Sequence, residues 1–177
     1  MKTILFRMKE EIINGINYRL NGLIKTAKVI KKSDGYKGDV IIPETIVFKE
    51  RTYRVTSIGE QAFSGCFSLT AITIPNSITS IGKKAFFDCS SLKEIIIGNS
   101  IKRIGKRAFF FCDSLKSITI PVSVKSIGWQ AFYYCDSLLS FTFQGTLAQW
   151  KKIKLGYSWK TLLPTAVLHC TDGDLKV

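Results

Sequence analysis

Residues 69–91 read LTAITIPNSITSIGKKAFFDCSS, and residues 92–114 read LKEIIIGNSIKRIGKRAFFFCDS. Aligned, the two segments repeat a leucine, an Ile-Gly pair, an Ala-Phe pair and a cysteine at a fixed interval of 23 residues. The interval carries Ile58-Gly59, Ile81-Gly82, Ile104-Gly105 and Ile127-Gly128, and with them Ala62-Phe63, Ala85-Phe86, Ala108-Phe109 and Ala131-Phe132. It also carries Cys66, Cys89, Cys112 and Cys135, then Leu69, Leu92, Leu115 and Leu138. Self-similarity at a period of roughly 20–50 residues marks a solenoid, because one such unit cannot bury its apolar side alone and stacked units can. The expected fold is therefore a β-rich solenoid with short helical turns, made of stacked 23-residue coils and capped at both ends. Four repeats span 58–143, after an N-terminal hairpin cap with a degenerate first repeat (1–57) and before a C-terminal capping segment (144–177).

Within one repeat, Ile72-Thr73-Ile74 alternates with the period of a strand, so the isoleucines share one face and Thr73 takes the other. Pro75 removes a backbone donor and ends the strand. A second short strand is expected around Ile78–Ile81, where β-branched residues collect. Gly82 turns the chain, and Ala85, Phe86 and Cys89 are expected on a turn of tight helix. Stacking at roughly the 4.8 Å strand spacing would make each Ile, Phe and Leu column a continuous core. The outward strand residues are then Ala71, Thr73, Glu94, Ile96, Ser117, Thr119, Ser140 and Thr142. They are small and mostly neutral, with no catalytic grouping, which suits protein recognition.

The pattern resembles the BspA-like leucine-rich repeats of bacterial and some protozoan surface proteins, closely so over residues 58–143. The resemblance implies a leucine-rich repeat solenoid and a role in adhesion, matrix binding or coaggregation, with a host matrix or another cell-surface protein as partner. It also implies export to the cell surface or the medium. By contrast, Met1–Arg7 offers only a few apolar residues before the charges at Lys9, Glu10 and Glu11, too few for a signal-peptide core. In repeat two, Gly98 stands where its neighbours have Pro75 and Pro121 and still breaks the strand. In the last repeat Phe141 and Phe143 replace the strand isoleucines.

The four column cysteines read as compact buried thiols. Their rival reading is a disulfide ladder, since stacked positions about 5 Å apart fall within the permitted Cα range. Parallel side chains favour the thiols. With one histidine, His169, and no C-x-x-C pair, neither zinc nor any other cofactor is expected. Adjacent strand residues face opposite ways, so His169 and Cys170 do not form a catalytic pair. Without paired carboxylates, an activated nucleophile or a phosphate loop, the chain is not expected to be an enzyme.

The 177 residues carry a net charge of +13. Residues 1–57 hold 12 basic and 6 acidic side chains, 58–143 hold 9 and 5, and 144–177 hold 5 and 2, so the excess is spread out. Within the repeats seven of the nine bases flank the Ile-Gly pairs: Lys83, Lys84, Lys102, Arg103, Lys106, Arg107 and Lys125. Stacking would line them up on one edge of coils two and three. That strip is either a solvated edge or a site for an anionic polymer such as nucleic acid or acidic glycan. The spread of charge and the lack of a recognition helix count against nucleic acid. No apolar run approaches membrane-spanning length, and a monomer is expected.

At the N-terminus, residues 1–11 read as a frayed tail or a short helix. Ile16–Leu20 and Thr26–Ile30 read as a hairpin over the first coil, where similar hairpins precede the repeats in the family. Val40–Pro43 begins a degenerate repeat, and a nine-residue insert with Phe48, Lys49, Glu50, Arg51 and Tyr53 reads as a small hairpin, either cap extension or binding loop. Phe87, Phe110, Phe111, Tyr133 and Tyr134 follow the core phenylalanines and either seal the outer flank or form a ligand platform. After Phe143, Thr146 is expected to cap a short helix. The two tryptophans Trp150 and Trp159, with Leu155, should cover the last coil, and a final strand is expected at Ala166–Cys170. A third reading makes the chain a structural piece of a longer array.

Overall fold

Alternating isoleucines stopped by Pro or Gly give each coil two short strands, and the computed structural model stacks them into two walls. It describes residues 8–160 and 166–176. In chain order the elements are β1 (Lys9–Ile13), β2 (Ile16–Asn21), β3 (Thr26–Val29), β4 (Gly38–Ile41), β5 (Thr45–Phe48) and β6 (Arg51–Ile58). The repeats proper give β7 (Leu69–Ile74), β8 (Ser80–Ile81), β9 (Glu94–Ile97), β10 (Arg103–Ile104), β11 (Ser117–Ile120), β12 (Ser126–Ile127) and β13 (Ser140–Phe143). Then come α1 (Leu147–Trp150), β14 (Lys154–Leu155), β15 (Val167–Cys170) and β16 (Gly173–Lys176). The longer strands form one wall in two ladders, β4-β7-β9 and β11-β13-β15-β16. The second wall runs β1-β2-β3-β6-β8-β10-β12-β14, with β5 on β6.

Between the walls lie the expected columns. Phe63, Phe86, Phe109 and Phe132 are fully buried and stack nearly parallel, with centroids 4.9, 5.0 and 5.1 Å apart. Such ring pairs stabilise by roughly 0.5–1.5 kcal/mol beyond their buried area. Tyr36 closes one end of the stack at 4.4 Å, and Trp159 the other, edge-on at 6.2 Å. The Ile-Gly corner has a steric cause. A Cβ on Gly105 would lie 2.6 Å from the carbonyl carbon of Gly82 in the coil before. Gly98 is also tied to close approach, since a Cβ there would lie 2.5 Å from the Pro75 carbonyl oxygen.

The third side of each coil differs from the expected helical turn. Its backbone alternates hydrogen bonds within the turn, as Phe87 N–H to Lys84 O (3.1 Å), with bonds to the next coil, as Phe86 N–H to Ala108 O (2.7 Å). Left-handed residues at Lys84 (φ 53°) and Asp88 (φ 58°) stop a helix from propagating. Their equivalents recur at Gln61, Arg107 and Gln130, and at Gly65, Phe111 and Tyr134.

Both ends continue the coil. At the N-terminal side β3 pairs in parallel with β6, and β2 and β3 form the expected hairpin. β1 adds an antiparallel strand where a tail or helix is expected; residues 1–7 lie outside the described ones. The insert makes the β5–β6 hairpin, turned by Lys49 and Glu50, both at positive φ (47° and 60°). At the C-terminal side Thr146 and Gln149 form a capping box on α1. β14 and β15 then add to both walls in parallel. Trp150, Trp159 and Ile153 cover the last coil, while Leu155, on edge strand β14, remains 39% exposed. β16 turns back on β15 as an antiparallel edge.

Phe109 has a ring stacked on each side, so Phe109→Ala is expected to lower unfolding free energy by about 3–5 kcal/mol. Thr119→Ala, on the exposed face, should cost about 0.5 kcal/mol or less. Urea denaturation of both variants checks the pair, and equal losses would contradict the column assignment.

Candidate binding surfaces

Parallel register lines up the outward side chains of the first wall in two columns. One holds Ile41, Thr73 and Ile96 on the first ladder, then Thr119, Thr142 and His169 on the second. The other holds Asp39, Ala71 and Glu94, then Ser117, Ser140 and Val167. The face residues expected from sequence thus share one surface, joined by Ile41, which the strand pattern alone did not mark. Ile41 and Ile96 are 73% and 63% exposed. Covering one such side chain is worth about 1.5–3 kcal/mol. A shallow groove crosses the middle of this face, lined by Thr73, Pro75, Ile96, Gly98, Thr119 and Gln144 among others. It lies where β9 and β11 run side by side without sharing a ladder.

The single basic strip expected from sequence is two patches. Arg103 lies on the second wall between Ser80 and Ser126, with exposed Lys102 and Lys125 one residue earlier in their coils. Beyond the glycine corner, Lys83, Lys84, Lys106 and Arg107 turn onto the outer flank, where each has a partner. Lys83 pairs with Glu60 at 2.9 Å, and Lys84 lies 5.1 Å from the Phe87 ring centre. Lys106 sits 3.9 Å over Trp129. Arg107 packs against Phe110 and Trp129, and its Nε donates to Gln130 Oε1 at 2.8 Å. Each cation–ring contact is worth about 0.5–1 kcal/mol at a surface.

The aromatic residues of the flank form two stacks. Phe87, Phe110 and Tyr133 stack at 5.3 and 6.0 Å and are mostly covered. Phe111 and Tyr134 stack at 4.8 Å and meet Phe110 edge-on. This second pair occupies the left-handed column that holds Gly65 and Asp88 in earlier coils, with φ of 60° and 55°. A bulky L residue there costs roughly 1–2 kcal/mol. Both rings nevertheless remain 37% and 42% exposed. Asp88 stands in that column itself, and Asp113 and Asp136 follow two residues after its two rings. Loss of solvation, and then the charges of Asp136 and Asp88, push the Asp113 carboxyl above its ordinary range.

A model of the BspA type leucine rich repeat region matches residues 44–157 in 6 copies. The chain belongs to the BspA type leucine-rich repeat family. Two copies beyond the four read from sequence agree with coil geometry that extends through β6 and β14. Among solved structures, a leucine-rich repeat protein of T. pallidum is 27% identical with a TM-score of 0.69 over 84% of this chain and 64% of its own. One from Bacteroides capillosus is 29% identical with a TM-score of 0.69, over 77% of this chain and 99% of its own. A leucine-rich cell surface protein of Faecalibacterium prausnitzii is 26% identical with a TM-score of 0.57, over 76% and 45%. The chain therefore spans about two thirds of the T. pallidum protein and under half of the F. prausnitzii one. No curated protein sequence is significantly similar to it.

In these BspA-type coils the cysteines are free thiols that tie neighbouring turns together. Cys89, Cys112 and Cys135 Sγ donate to the carbonyls of Phe63, Phe86 and Phe109 at 3.1, 3.2 and 2.8 Å. Cys66 Sγ accepts from Tyr36 N–H at 3.3 Å. Burial pushes the Cys66, Cys89 and Cys112 thiols up, which keeps them protonated and unreactive. Among the described residues no cluster of three or more His, Cys, Asp or Glu is arranged to hold a metal ion. No helix among them is long and apolar enough to cross a membrane. His169 meets Asp174 on β16 at 3.0 Å, a contact that a lone-histidine reading missed because β16 itself was missed.

Two outcomes follow. A thiol reagent at pH 8 is expected to modify Cys170 alone in the native protein and all five cysteines after denaturation. The folded-state pKa of Asp113 is raised, so its ionisation costs stability above that value and the cost disappears as pH falls through it. Asp113→Asn should therefore raise stability at pH 7 by about 0.3 kcal/mol, screened because the group is exposed. The gain should vanish near pH 3 in thermal melts of dilute protein.

Proposed function

We propose that this protein is a non-catalytic recognition module of the adhesion type, binding a host matrix protein or another cell-surface protein through its first wall. The observation that carries this reading is the open face. Two well-exposed isoleucines stand among threonines and serines on a surface fixed by the strand register. Threonine and serine at regular spacing offer hydrogen bonds without charge, and the isoleucines supply apolar area that gains by being covered. The surface label carried by the F. prausnitzii relative supports the same reading. A second reading rests on Lys102, Arg103 and Lys125, which lie together and exposed on the second wall. These would favour an acidic polymer.

Binding to an array of matrix proteins, glycans and nucleic acids, at low and moderate salt, separates the two. Capture of a protein that survives moderate salt and falls at least tenfold with Ile96→Lys is the expected result. Binding confined to polyanions, lost as salt rises and abolished by Arg103→Glu while Ile96→Lys leaves it unchanged, would overturn it.

A further inference from the structure

We propose that the outer flank of the coils beginning at Ile81, Ile104 and Ile127 is a self-association surface, which a second copy of this chain covers about a two-fold axis parallel to the solenoid. Across the flank the order is base, ring, ring, acid. Lys84 and Arg107 border the Phe87–Phe110–Tyr133 stack, with Lys106 one column outside them over Trp129, next comes the Phe111–Tyr134 stack, and Asp113 and Asp136 follow two residues after those rings. The Phe111–Tyr134 rings stand in the middle of this order and remain 37% and 42% exposed, aromatic area that a partner would cover.

The charge order selects the partner. A two-fold axis along the solenoid sets the basic row of one copy over the acidic row of the other twice, with the exposed rings meeting at the axis. A two-fold axis across the solenoid would oppose like rows, which repel. One surface is thus complementary to itself in one orientation only, the requirement for an isologous dimer. Three coils at strand spacing make a patch about 15 Å long, on the order of 200 Å² per copy. That falls below the roughly 1,000 Å² of an ordinary specific interface, so the dimer is weak and reversible. The monomer expected from sequence rests on columns alone, since their edges could not be read there.

Sedimentation velocity over a concentration series at low salt tests this. The expected result is a dimer that forms with rising concentration and weakens as salt is added. Phe111→Asn with Tyr134→Asn should abolish it while the protein still melts cooperatively, since asparagine accepts the left-handed conformation and only the loss of the exposed rings is felt. Asp113→Lys with Asp136→Lys should also give monomers, as should Lys84→Glu with Lys106→Glu, and mixing these two proteins should restore a heterodimer. The proposal is overturned by a protein that stays monomeric at millimolar concentration, or by a dimer that the Asn pair leaves intact. It is likewise overturned if the two charge-reversed proteins fail to associate when mixed.

Discussion

The step of about 5 Å from one coil to the next governs this structure. Ring centroids in the buried phenylalanine column repeat at 4.9 to 5.1 Å, close to the strand spacing of the walls. Three sides of every coil must keep that step at once. Two do so with parallel ladders, and the third with turn-to-turn hydrogen bonds such as Phe109 N–H to Ala131 O at 2.7 Å. Glycine holds the corner because backbone must approach backbone there, and a Cβ on Gly128 would fall 2.4 Å from Lys106 N. Cysteine fits the column because it is small and its thiol reaches a carbonyl in the preceding coil.

A stack with one step has two open ends, and the chain closes them differently. The N-terminal hairpin buries Tyr18, Val29 and Leu20 and continues the second wall rather than lying across it. Tyr36 alone meets the phenylalanine stack, and burial pushes its phenol up to about 12. Its hydroxyl accepts from Asn17 N–H and donates to the Ile30 carbonyl, so the ring is fixed to the hairpin it packs beneath. The C-terminal end instead adds a further coil with aromatic filling, as Trp150 and Trp159 pack on Phe143 and Phe141. Aromatic bulk substitutes there for the missing next layer.

Columns were legible in the sequence because burial demands the same residue at each step, and this made the walls, the thiols and the outward threonines readable. The outer turn was not, since Ala-Phe followed by Cys at helical spacing mimics a helix. The left-handed breaks fall on Gln61, Lys84, Arg107 and Gln130, none of them glycine. Comparing Gly65 and Asp88 with Phe111 and Tyr134 in one column would have exposed the second break. Leu155 was misplaced because an apolar residue in register with Ile127 reads as core, whereas its strand is the last in the wall. β16 escaped notice since Gly173–Lys176 is exposed throughout and has no apolar alternation.

In a repeat protein the shared residues build the scaffold, so individuality lies where a column is broken. This chain breaks its columns in few places. Isoleucine replaces threonine at Ile96 and precedes it at Ile41, arginine stands in the Ser57–Ser80–Ser126 column at Arg103, and aromatic rings take the glycine position at Phe111 and Tyr134. Every one of these exceptions is exposed. The middle coils carry three of them, on three different sides: Ile96 on the first wall, Arg103 on the second and Phe111 on the flank. Central coils are the most rigid part of a solenoid, having neighbours above and below. Surfaces placed there lose the least order on binding, which is why a short array can present several distinct faces on one stiff core.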